Sequence, residues 1–341
     1  MVETLLARSA EDLFWLARYI ERTENLARIL DVNETFSRDS RGGQNWLSIV
    51  ELFSDETRFF ARYKTADTDS VLRFYVTDTD NPTSIVSGIR SARGNARALR
   101  PLISTEMWVQ VNVFHNRLSQ LTPADLLPGQ RNLLLTEIKE ACQTHTGITD
   151  GTFYRDQGWY FYQMGRLIER GDQITRLLDM KYHLLLPREA EIGSPLDVSQ
   201  WNALLRSAAG YHAYRRLHSG RMTASQVAGF LLLNRRFPRS LYLCVRETEM
   251  LLSELRTRYA LRPGNQAAEV LDGLRALLST LPITEILTQG LHEFLDLMQV
   301  RLIEVSRNLS YAFFGHPEPE QGLHQSQSQS QSQSQSQSQS A

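Results

Sequence analysis

The sequence predicts an all-α protein, a multi-helix bundle with no significant sheet, on three observations. Apolar residues recur at helical spacing along nearly the whole chain. No segment alternates apolar and polar residues between hairpin turns. A helical segment at 18–31 returns at 166–179. With 341 residues, 42% of them apolar, the chain is long enough to bury a substantial core.

The elements follow in order. From Leu13, the stripe Leu16, Tyr19, Ile20, Thr23, Ala27 and Leu30 marks the first helix, with Ser9 and Asp12 as a capping box at its start. Further helices are predicted over Trp46–Tyr63, Pro82–Leu99, Leu102–Leu118, Leu126–Thr144 and Asp156–Leu184. The remainder are Val198–Leu217, Thr223–Leu233, Pro238–Tyr259, Asn265–Leu278 and Ile283–Phe314. Pro82 and Pro238 suit a first helical turn, where a missing N–H costs nothing. Breakers gather at Asp78–Pro82, Thr146–Gly151, Pro187–Pro195 and Arg262–Gly264, which predicts loops there. The closing Gln-Ser repeat has no apolar face to offset the entropy of ordering, so 317–341 is expected to be a disordered tail.

Between 18–31 and 166–179, seven of fourteen positions are identical without a gap, among them Arg18/Arg166, Glu21/Glu169, Arg22/Arg170, Arg28/Arg176 and Asp31/Asp179. Two anchors follow in the same order. Trp46 corresponds to Trp201, and Phe74…Pro82-Thr83-Ser84 corresponds to Phe230…Pro238-Arg239-Ser240 with the same interval. This order predicts two duplicated helical repeats, 1–150 and 151–316, forming one combined domain around a pseudo-twofold axis.

On a helical wheel Arg18, Glu21, Arg22, Asn25 and Arg28 share a face opposite the apolar stripe, and Arg166, Glu169, Arg170, Gln173 and Arg176 repeat it. A merely solvated face tolerates Lys for Arg and Asp for Glu, whereas this one keeps identity and register in both copies. These ten residues are the candidate binding residues, as an inter-repeat or ligand-facing cleft where an Arg fork meets a carboxylate bidentately. Solvated neighbour pairs worth about 0.2–0.5 kcal/mol each are the competing reading. Between Arg206 and Arg262 eleven arginines face three acids, an excess of +8 suited to an anionic substrate, an acidic partner or the protein's own first half.

Other chemistry finds little support. The net charge of −1 gives no reason to expect nucleic acid or an anionic membrane as partner. Two cysteines, Cys142 and Cys244, exclude a disulfide scaffold and the multi-cysteine zinc sites, and read as small core residues of a cytoplasmic protein. No apolar run approaches the ~20 residues of a membrane span, and the first residues lack the build of a signal peptide. No Glu precedes a His by three residues, and no phosphate-binding, dinucleotide or nucleophile-elbow motif occurs, so neither a metal nor a cofactor is expected. Glu21 and Glu169 could do acid–base work if the two faces meet, but flanking arginines would hold their carboxyls low.

Several ordered motifs resemble a known family: Phe14-Trp15-Leu16-Ala17-Arg18-Tyr19-Ile20-Glu21-Arg22-Thr23-Glu24-Asn25, Asn95-Ala96-Arg97 with Glu106-Met107-Trp108, Gly147-Ile148-Thr149-Asp150-Gly151, and Phe237-Pro238-Arg239-Ser240. The chain from about Met1 to Phe314 is similar to the alpha-E family, a bacterial all-helical domain named for a Glu-Arg motif. The resemblance implies association with an ATP-grasp-type amide ligase and a transglutaminase-like protein, with Glu21-Arg22 and Glu169-Arg170 as the motif positions. Three functions are then open. In the first, the chain is a non-catalytic partner of the ligase, holding an anionic or peptide substrate. In the second, the cleft catalyses a peptide- or amide-modifying step, with Glu21 or Glu169 as base and Arg22 or Arg170 stabilising negative charge. In the third, the charges are inter-helix ion pairs of a structural scaffold.

Overall fold

A computed structural model describes residues 5–39, 46–184 and 195–317, and among them the chain is all-α, with fifteen α-helices and no strand. They are α1 (Ala7–Asp39), α2 (Leu47–Leu52), α3 (Glu56–Phe60), α4 (Thr68–Leu72), α5 (Ile85–Ala98), α6 (Thr105–Ser119), α7 (Arg131–Thr152) and α8 (Gln157–Leu184). The second half holds α9 (Pro195–Ser207), α10 (Tyr211–Leu217), α11 (Ala224–Leu233), α12 (Leu241–Arg258), α13 (Asn265–Thr280), α14 (Ile283–Gln289) and α15 (Leu291–Phe313). The Gln-Ser tail from 318 onward and most of the Pro187–Pro195 loop lie outside the described residues.

The two long helices α1 and α8 form the centre. They lie side by side and run in the same direction. The Leu5 amide reaches Gln157 at one end, the Phe14 carbonyl faces Gly165, and Arg22 meets Glu169 further along. α5 and α7 flank α1, and α6 packs against both; α12 and α15 flank α8, and α13 packs against both. The stripe Leu13, Leu16, Ile20, Ala27 and Leu30 is buried as its spacing requires. Gly165 allows the closest approach: a Cβ there would stand 2.3 Å from the Phe14 carbonyl oxygen.

Several sequence expectations need correction. Trp46–Tyr63 and Val198–Leu217 are each two helices, broken eight residues after the tryptophan, where Ser54 and Ala209 adopt left-handed backbone at φ 54°. Amides just beyond α2 and α9 turn back onto their last carbonyls: Ser54 to Glu51, Asp55 to Val50, Ala209 to Arg206 and Gly210 to Leu205. Thr146–Gly151 is no loop but the last turns of α7, whose buried side carries His145 and Thr149. Gly290 at φ 119° divides Ile283–Phe314 into α14 and α15.

Helix starts differ as well. α1 begins before Ser9, so Ser9 does not cap it. Pro82 and Pro238 precede their helices, which are capped instead by Ser84 and Ser240. Each serine hydroxyl accepts from the amide three residues on and donates to the carbonyl six residues back. The stretch 68–77, one short helix followed by a single wide turn, was not expected from sequence at all.

Candidate functional site

Seven of the ten residues of the two polar faces, Arg18, Glu21, Arg22, Asn25, Glu169, Arg170 and Gln173, meet where α1 packs on α8, while Arg28, Arg166 and Arg176 pair elsewhere. In a parallel helix pair with matched registers, equal residues stand at equal heights, so two Glu-Arg pairs would set like charges against each other. The side chains avoid this by crossing. Arg22 offers a bidentate fork to Glu169, its Nε donating to Oε1 at 2.7 Å and Nη2 to Oε2 at 2.9 Å. Arg170 returns the same fork to Glu21, its Nε donating to Oε1 at 2.9 Å and Nη2 to Oε2 at 2.8 Å. Both carboxylates are buried, 2% exposed for Glu21 and fully covered for Glu169.

Each glutamate has a second guanidinium, and the two sides recruit it differently. Arg18 Nε donates to Glu169 Oε2 at 2.8 Å, its Nη1 donates to Ser306 on α15, and its guanidinium lies 4.7 Å from the Trp15 ring. Glu21 takes its second cation from Arg239 instead, whose Nη1 donates to Glu21 Oε1 at 2.7 Å and to Asn25 Oδ1 at 2.8 Å, while Nη2 donates to Glu24 at 3.0 Å. Arg166, the counterpart of Arg18, makes no hydrogen bond to Glu21; its Nη1 stands 3.6 Å from Asp150, and its buried Nε has no hydrogen-bond partner. Gln173 and Asn25 each donate to the glutamate one turn back on their own helix, at 3.1 and 3.4 Å. Arg28 pairs with Glu24, and Arg176 with Asp172, each four residues back.

The electrostatics follow from this packing. Burial by itself would raise the Glu169 carboxyl, but Arg22 and Arg18 outweigh it and lower the pKa to about 2. Burial likewise opposes ionisation of Glu21, and Arg170 with Arg239 more than compensates, holding it far below the usual carboxylate range. Both are therefore fixed anions at neutral pH, with no proton to give and little basicity.

Three participants were not among the sequence candidates: Arg239, Glu24 and Ser306. Arg239 lies in the basic stretch and in the Phe237-Pro238-Arg239-Ser240 motif, but the repeat comparison sets it opposite Thr83, outside the repeated Glu-Arg faces. Glu24 is matched by Asp172, whose Oδ1 is buried without a hydrogen-bond partner. Arg239, which bonds Glu24, is the residue that Thr83 replaces on that side.

The other reactive types are quiet. Cys142 and Cys244 are buried and free, and burial pushes the Cys244 thiol up to about 12. His212 and His218 lie toward the surface. Among the described residues one group could gather around a metal ion, Asp179, His292 and Asp296, with ligand atoms within 4.8 Å of one another. There the imidazole Nδ1 sits 2.7 Å from Asp179 Oδ1, a hydrogen bond that joins α8 to α15 and raises the His292 pKa.

The fold and site together define an all-helical protein whose two longest helices are knit by reciprocal Glu–Arg forks. The chain belongs to the alpha-E family, described as a predicted alpha-helical domain with a conserved ER motif, which matches residues 5–314. Glu-Arg occurs in this sequence only at 21–22 and 169–170. The chain is similar to uncharacterized proteins of Mycobacterium bovis and Mycobacterium tuberculosis, 26% identical over 311 residues, covering 80% of this chain and 34% of each relative. It thus spans about a third of the length of the curated relatives it matches. No solved structure matches it.

Proposed function

We propose that this protein is a non-catalytic helical scaffold that presents an anionic or peptide substrate to an ATP-grasp-type amide ligase, and that the Glu-Arg network locks its two halves together. The observation that carries this reading is the burial of Glu21 and Glu169 under crossed arginine forks. A carboxylate that accepts four hydrogen bonds and stays ionised is an internal tie rather than a general base. This weighs against the alternative in which Glu21 or Glu169 catalyses a peptide- or amide-modifying step. The family resemblance supplies the ligase and the transglutaminase-like protein as partners. The mycobacterial relatives support work beside other domains, since the matched part is a third of a longer chain.

Co-purification of the tagged protein with an ATP-grasp-type ligase of the kind the family resemblance implies, taken from the same organism, tests the partnership. The wild-type chain is expected to retain the ligase. Failure of the folded wild-type chain to retain the ligase would remove the partner role while leaving the Glu-Arg lock untouched.

A further inference from the structure

A cleft of about 550 Å³ opens beside the Glu-Arg network, between α1, α7 and the corner joining α9 to α10. That volume lies within the range of small-molecule sites. Its polar wall is made by Arg28 and Asp31 of α1, Lys139 of α7, Arg206 of α9, and Tyr211 and His212 of α10.

The cations there are unequally committed. Asp31, the one carboxylate in the lining, already accepts from Lys139 Nζ at 2.6 Å and from Asn132 at 3.4 Å. Arg28 spends Nε and Nη2 on Glu24. Among the described residues Arg206 has no carboxylate partner. Its exposed guanidinium is held 4.5 Å from the centre of the Tyr211 ring, a stacking contact that orients the fork without neutralising it. The left-handed backbone of Ala209 sets the corner that brings Arg206 and Tyr211 together, and the Ala209 and Gly210 amides bonded back to Arg206 and Leu205 fix it.

We infer that this cleft binds an oxyanion group, a carboxylate or a phosphate, of a small ligand, with Arg206 as the principal contact and Lys139, Arg28 and His212 around it. The inference deepens the scaffold reading by giving the anionic substrate a place outside the Glu-Arg network. An anion here meets a preorganised guanidinium, a flanking ammonium and an exposed imidazole, and the lone carboxylate is already covered by Lys139. The site also touches the lock. Arg28, Glu24, Arg239 and Glu21 form a continuous ion-pair chain from the cleft to the centre of the α1–α8 pair. A bound anion that draws on Arg28 therefore acts on the same chain of charges.

Three probes test this on the full-length protein by calorimetry and by thermal shift: inorganic phosphate, a short peptide with a free C-terminal carboxylate, and the same peptide C-terminally amidated. Saturable binding of phosphate or of the free-carboxylate peptide is expected. Its affinity should fall about tenfold or more in Arg206→Ala, as for loss of a charge-assisted hydrogen bond, and should also fall in Lys139→Met. Arg97→Ala, exposed on α5, should bind like the wild type. Preference for phosphate points to a phosphorylated ligand, and preference for the free over the amidated peptide points to a peptide carboxylate. Absence of saturable binding by either probe, equal loss in Arg97→Ala, or undiminished binding in Arg206→Ala would overturn the inference. The ligase co-purification does not involve these probes, so either proposal can fail without the other.

Discussion

Glu169 remains ionised in the core because four hydrogen bonds replace its hydration, three from Arg18 and Arg22 and one from Gln173. Such an arrangement is costly to build and more costly to break, because removing one partner strands the other charge in a poor solvent. Glu169→Gln keeps the shape but leaves two guanidiniums uncompensated. A loss of about 3–5 kcal/mol of stability is expected, read by urea denaturation with far-UV circular dichroism. The same group sets a pH dependence. Its pKa is about 2 in the folded chain against an ordinary 4.5, so the unfolded chain takes up the proton first as the pH falls. The stabilisation is complete above about pH 5 and is lost on descending toward pH 2, and Glu169→Gln should flatten that part of the stability–pH curve. At this scale the sequence was informative in part: Arg18, Glu21, Arg22, Glu169 and Arg170 bond across the α1–α8 contact, whereas Arg28 and Arg176 pair within their own helices and Arg166 turns to Asp150. It named Arg239 within a motif but did not join it to the Glu-Arg faces, because a cation supplied from the turn before α12 leaves no mark in the spacing of the motif it completes.

At the scale of elements, the packing of α1 on α8 rests on a near-contact between backbones. Gly165→Ala would drive a Cβ into the Phe14 carbonyl, which belongs to a helix that cannot retreat without opening the Arg–Glu forks. A destabilisation of at least about 2 kcal/mol is expected from overpacking against main chain. Gly147→Ala in α7, where a Cβ meets nothing within 4 Å, should be neutral or stabilise by up to about 1 kcal/mol, and thermal melts of the two variants make the comparison. Helix interiors were legible from apolar periodicity, and helix ends much less so. The breaks at Ser54 and Ala209 use non-glycine residues in the left-handed region, which no residue preference announces, whereas Gly290 is an ordinary breaker. Thr146–Gly151 misled for the opposite reason. Its glycines weaken helix propensity, but burial of His145 and Thr149 against neighbouring helices overrides that local cost.

For the whole molecule, the order of packing is the same on both sides of the centre: α1 with α5 and α7, α8 with α12 and α15, and α6 and α13 each closing its own flank. Serine caps with matching bonds begin α5 and α12, and left-handed residues end α2 and α9 at equal distances from Trp46 and Trp201. These correspondences are what a duplicated ancestor would leave, and on that proposal the crossed Glu-Arg forks are its seam. Among the described residues no helix is long and apolar enough to cross a membrane. The architecture was readable from sequence because periodicity and repetition are properties of the chain itself. The cleft at Arg206 was not, because it depends on a corner between two helices that the sequence joined into one.

The claim on which the rest depends is that the two Glu-Arg motifs, 148 positions apart, are energetically one unit. A double-mutant cycle between Arg22 and Glu169, using Arg22→Met, Glu169→Gln and the double variant in urea denaturation, measures that directly. A coupling energy of at least about 1.5 kcal/mol is predicted, with the double variant more stable than the sum of the single losses implies. Additive losses, within about 0.5 kcal/mol, would contradict it.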